Sequence, residues 1–72
     1  MYIVKQQELK RKREELGITK SRLSKEAGLP NNAVGRMENG DYRTHPIRAK
    51  AIAEALQCEV SDIFIDEKEM SA

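Results

Sequence analysis

The chain is expected to fold as an all-α domain of five short helices. Three observations point there. Seventy-two residues bury only about 60% of their unfolded surface, so the core has to be small and built mostly from helices. Apolar residues recur at three- and four-residue spacing, and glycine or proline separates one such segment from the next. There is no repeat, low-complexity tract or internal linker, so residues 1–72 read as one domain with a core over 5–65.

Residues 1–4 contain Tyr2, Ile3 and Val4 in succession and form either a short extended arm or the lead into the first helix. That helix spans 5–16, with Leu9 and Leu16 on one stripe and Gly17 as its stop. Thr19 is placed to cap a second helix over 20–27, whose Leu23 and Ala27 share a face and which ends at Gly28. Pro46 suits the first turn of a fourth helix in which Ile47, Ala51, Ile52, Ala55 and Leu56 form the apolar pattern. A short fifth element over 60–65 packs Val60, Ile63 and Phe64, and a charged tail over 66–72 is expected to fray.

The most informative stretch is 28–40, GLPNNAVGRMENG, which runs from a helix stop through turn residues and a short amphipathic segment to an Asn-Gly stop. This is the layout of a helix mounted at a fixed angle behind a tight turn. Ala33, Val34 and Met37 share its apolar face, while Asn31, Asn32, Gly35 and Arg36 point outward with the groups best suited to reading base edges. Charge is divided as well. Residues 1–50 carry twelve Lys/Arg against six Asp/Glu, and residues 51–72 carry Lys68 against six acids. The positive half is the half holding this helix, which fits a polyanionic partner.

Leu9, Arg13, Gly17-Ile18-Thr19, Leu23, Gly28-Leu29, Val34, the run from Arg36 to Gly40, the run from Ile52 to Leu56 and Ile63-Phe64 together resemble the phage-repressor and Cro type of helix-turn-helix regulators, the xenobiotic-response-element family. The similarity runs from about Gln6 to Ile65. It implies a five-helix lambda-repressor-like fold, sequence-specific binding of double-stranded DNA through the third helix, and a two-fold homodimer on a palindromic operator. It also implies that Arg13 of the first helix pairs with Glu38 at the end of the third; otherwise both are solvated surface charges. Three positions depart from the family pattern. Pro30 stands where a Ser, Thr or Asp usually caps the third helix, so either Pro30 occupies the first helical turn or Asn31 is the cap. Lys12 replaces an apolar residue, and Gln57 stands where the fourth helix often stops on Gly.

Asn31, Asn32 and Arg36 are the candidate base readers, because Asn can make two hydrogen bonds to adenine and Arg two to guanine. Ala33 is a candidate contact to a thymine methyl, and Arg36 alternatively goes to phosphate. Candidate phosphate contacts are Thr19 and Lys20 at the start of the second helix, and Tyr42, Arg43 and Thr44 after the third. Val60, Ile63, Phe64 and Ile65 crowd enough apolar side chains to suggest a dimer surface.

Cofactors, metals and catalysis are not expected. Cys58 and His45 lack the further partners that zinc or covalent chemistry needs; Cys58 reads as a buried core thiol and His45 as a residue capping or preceding the fourth helix. One cysteine, with no apolar run long enough for a signal peptide or membrane span, makes the reducing cytoplasm the expected location. The function these readings point to is a transcriptional repressor that occupies its site, with no small-molecule effector evident. The alternative is an antitoxin-like protein-interaction module that binds a partner through the acidic C-terminal half.

Overall fold

Tyr2, Ile3 and Val4 are strand-forming residues in succession, and in the computed structural model, which describes residues 1–70, they form a strand. This β1 (Tyr2–Val4) is the middle strand of a three-stranded antiparallel sheet, between β2 (Arg43–Thr44) and β3 (Phe64–Asp66). Tyr2 pairs with Thr44 on one side and Asp66 on the other, and Val4 pairs with Phe64. The helices are α1 (Gln6–Glu15), α2 (Lys20–Glu26), α3 (Ala33–Asn39), α4 (Pro46–Ala55), α5 (Val60–Ile63) and α6 (Glu67–Met70). The all-α, five-helix expectation is therefore corrected to six helices and a small sheet among the described residues. Strands of two and three residues show no alternation to read, and their partners lie far along the chain.

The expected N-terminal arm is likewise a central strand, with Val4 only 5% exposed. The expected fray at 66–72 is corrected in part. Asp66 ends β3, the Glu67 amide donates to the Met1 carbonyl, and the Asp66 carboxylate accepts from the Lys68 amide at the start of α6. Residues 71 and 72 of that tail lie outside the described residues.

Three helices stop in the same way. A residue in the left-handed region follows the last turn, and its amide and the next one reach back to carbonyls that would otherwise lack partners. Gly17 (φ 68°) ends α1 and Gly28 (φ 73°) ends α2, whereas α4 ends on Gln57 at φ 56°. At Gln57 the Cys58 amide donates to Ala53 and the Gln57 amide to Glu54, each at 3.0 Å. The fourth stop differs: Gly40 closes α3 with an extended backbone, and both its amide and that of Asp41 donate to the Arg36 carbonyl.

The core gathers Leu9, Leu23, Val34, Ile52, Ile63 and Phe64, all essentially inaccessible, with Val4, Met37, Ala49, Ala53 and Leu56 around them. Two expected faces are rotated. Leu16 is exposed, and the buried face of α4 is Ala49, Ile52 and Ala53, continuing to Leu56, while Ile47 is 74% exposed. Ala49 and Ala53 carry less hydrophobic signal than Ile47, yet they are the residues that pack in the core. Gly35, inside α3, gives up about 1 kcal/mol of helix propensity relative to alanine.

Candidate nucleic-acid interface

Residues 30–33 make a turn, with the Ala33 amide donating to the Pro30 carbonyl at 3.0 Å, and α3 begins only at Ala33. Neither sequence alternative for the cap holds. Pro30 is outside the helix, and Asn32 occupies the capping position without a side-chain hydrogen bond. The cap comes from another helix. Ser24, fully buried on α2, accepts from the Val34 amide at 3.0 Å and donates to its own Lys20 carbonyl at 2.9 Å. Nothing local to Ser24 marks it as a cap, since the role exists only once α2 and α3 are packed together. The Asn31 and Asn32 side chains consequently face outward, both exposed.

The far end of α3 is tied to α1. Arg13 Nε donates to Glu38 Oε2 at 2.8 Å and a second guanidinium nitrogen reaches Oε1 at 3.3 Å, while the third donates to the Ile18 carbonyl at 2.9 Å. The two side chains are 10% and 4% exposed, so this is a buried, two-pronged ion pair. The hydrogen bond it donates to the Glu38 carboxylate lifts the Arg13 guanidinium above its ordinary pKa. Gln6, which the sequence reading passed over, adds a hydrogen bond from its amide to the Met37 carbonyl at 2.9 Å. With Ser24 at one end and Gln6 and Arg13 at the other, α3 is held at both ends before any ligand arrives, which is what precise side-chain placement requires.

The outward face brings together part of the expected set. A cleft of about 180 Å³ is lined by Asn32, Arg36, Arg43 and Arg48, with Asp41 on its wall. Arg48, in the first turn of α4, was missed, because only the packing of α4 brings it beside Arg43. Three guanidiniums, against Asp41 on the wall and Glu67 beside Arg43, leave this cleft cationic. Each of two arginines already has a carboxylate partner: Arg36 Nε meets Asp41 at 3.0 Å and Arg43 meets Glu67 at 3.0 Å. These are exposed pairs, easily exchanged for phosphate. Lys20 is exposed at the start of α2, and the Thr19 hydroxyl accepts from the Arg22 amide at 3.1 Å as the helix cap, keeping its own hydrogen free to donate. Tyr42 is 58% exposed.

Two other expected residues line the same cleft but are buried. Ala33 is 7% exposed at the cleft wall, leaving little surface for a thymine methyl. Thr44, paired with Tyr2 in β2, also lines the cleft but is only 5% exposed, which leaves its side chain little surface to offer a phosphate. The expected dimer surface is corrected at Ile63 and Phe64. Ile63 and Phe64 are buried in the chain's own core at 0% and 2% exposure, and Val60 and Ile65 are half-buried. The sheet that the sequence reading missed is what absorbs this apolar surplus, since β3 pairs Phe64 with Val4 and brings its ring to that of Tyr2, tilted by 48° with centroids 6.4 Å apart. Among the described residues, the large apolar side chains left exposed are Met1, Leu16, Tyr42 and Ile47.

His45 caps α4, its Nδ1 accepting from the Ile47 amide at 3.3 Å. Cys58 is half-buried, and burial, with Asp62 nearby, pushes its thiol pKa up and keeps it a weak nucleophile. Among the described residues no three His, Cys, Asp or Glu side chains come together as a metal site, and no helix is long and apolar enough to cross a membrane.

Comparison with known proteins gives a match over residues 9–63 to the helix-turn-helix family HTH_3, of the Cro and phage-repressor type. No curated protein and no solved structure matches significantly.

Proposed function

The chain belongs to this helix-turn-helix family of DNA-binding transcriptional regulators, and on that premise we propose that it is a repressor which reads double-stranded DNA with α3. The observation that carries the proposal is the mounting of α3. A helix anchored at both ends by Ser24, Gln6 and Arg13 presents Asn31, Asn32 and Arg36 outward, beside a cleft with three arginines. In this reading Asn32 and Arg36 contact base edges, with Asn31 beside them. Lys20, Thr19, Arg43, Arg48 and Tyr42 contact the backbone, fixing register without carrying sequence information. Phosphate displaces Glu67 from Arg43 on binding. Repression follows from occupancy: the protein excludes polymerase from the site, without an effector, in a reducing cytoplasm.

A single seven-residue recognition helix touches too few base pairs to single out one genomic site. Two copies on an inverted repeat, with recognition helices about 34 Å apart in successive major grooves, supply the rest. Ile63 and Phe64 take no part in joining them, since they are core residues; Tyr42 and Ile47 are exposed and available.

Selection from a random duplex pool, followed by titration of the recovered sequence at two salt concentrations, tests the proposal. The expected result is an inverted repeat bound more weakly as salt rises, with each phosphate contact contributing about −0.9 to the log–log slope. Failure to bind any duplex at low salt would overturn it, and would favour a protein partner for this fold.

A further inference from the structure

Nothing in the protein's own structure accounts for Gly35. It sits in the middle of α3 with a φ outside the left-handed region, so its backbone does not require glycine. A Cβ built there would come within 4 Å only of Lys20 Cδ, at 3.7 Å, which is ordinary van der Waals contact. Alanine would therefore fit, and would be the better helix former. Position on the surface supplies a reason that internal stability does not. Gly35 lines a shallow groove on the outward side of α3 together with Lys20, Asn31, Asn32 and Arg36. Its bare Cα makes the helix backbone itself the floor of that groove, and the Lys20 methylene stem lies alongside.

We infer that Gly35 is the point of closest approach between α3 and the floor of the DNA major groove. The missing side chain lets the helix seat deeply enough for Asn32 and Arg36, on either side of it in sequence, to reach base edges. A methyl group here would stand between helix and bases, lifting both side chains out of hydrogen-bonding range, while backbone contacts from Lys20 and Arg48 at the rim would tolerate the shift. The inference rests on the reading that α3 binds DNA.

The experiment compares wild type with Gly35→Ala by thermal melting and by titration of two duplexes, one recovered by selection on wild type and one of random sequence. Gly35→Ala is expected to melt about 4–8 °C higher, to bind the selected duplex at least tenfold more weakly, and to bind the random duplex as wild type does. Equal affinity for the selected duplex would overturn the inference, and so would a lower melting temperature, which would make the glycine a requirement of the fold. Should wild type itself show no preference among duplexes, the DNA reading and this inference fall together. A wild-type preference that survives Gly35→Ala removes this inference alone.

Discussion

Residues 19–40 and the three-stranded sheet are specified at different ranges. In the first region nearly every feature comes from near neighbours: Thr19 caps α2, Gly28 ends it, and Ala33, Val34 and Met37 recur at helical spacing. The sheet joins residues 2–4 to 43–44 and to 64–66, and each strand is too short to stand alone. Function divides along the same line. The local unit presents the outward side chains, and the long-range contacts, including those of Arg13 and Gln6 with α3, hold that unit at a fixed angle.

Breaking a tether should therefore cost more than breaking anything local. Glu38→Ala leaves Arg13 buried without its carboxylate and is expected to destabilise by about 3–5 kcal/mol in urea denaturation. Replacing both residues by apolar side chains should recover most of the loss. A single variant within 0.5 kcal/mol of wild type would show that the pair does not anchor α3.

Next in size is the sheet. Val4→Ala removes buried methyl groups from β1 and is expected to cost about 2 kcal/mol with an unchanged denaturant slope, because the sheet and the helix-turn-helix share one core. A separate early transition would instead divide the molecule into two units.

The smallest effect is local. Gln57 pays the strain of a left-handed backbone that Gly17 and Gly28 adopt freely, so Gln57→Gly should stabilise by about 1 kcal/mol. Gly17→Ala and Gly28→Ala should each destabilise by a similar amount. A neutral Gln57→Gly would mean that other contacts of Gln57 offset the strain.

What the sequence showed and what it hid follow from the same division. Gly17, Gly28, Thr19 and Pro46 each act within one turn of their own position, and they placed the helices to within a few residues. Ser24 was illegible because a serine within a helix has no local reason to cap another helix. The face of α4 was misassigned because Ala49 and Ala53 carry little hydrophobic signal although both are buried, whereas Ile47 carries much and is exposed. Ile63 and Phe64 looked surplus only while β1 was missing, since Val4 is the strand partner of Phe64. On the outward face, Asn32 and Arg36 were legible from residue type and helical phase, and Arg48 was not, because its place in the cleft depends on how α4 packs.

The claim at the centre of this account is that α3 reads sequence while the arginines beyond it hold the backbone, and Arg36→Ala against Arg48→Ala tests it most directly. Affinities are measured by fluorescence anisotropy on a duplex selected by wild type and on a random one. Arg36→Ala should cost about 1–3 kcal/mol on the selected duplex and little on the random one, relaxing preference at one base pair. Arg48→Ala should weaken both alike and flatten the salt dependence by about one unit. Equal losses on both duplexes for Arg36→Ala would contradict the account, reducing Arg36 to one more phosphate contact.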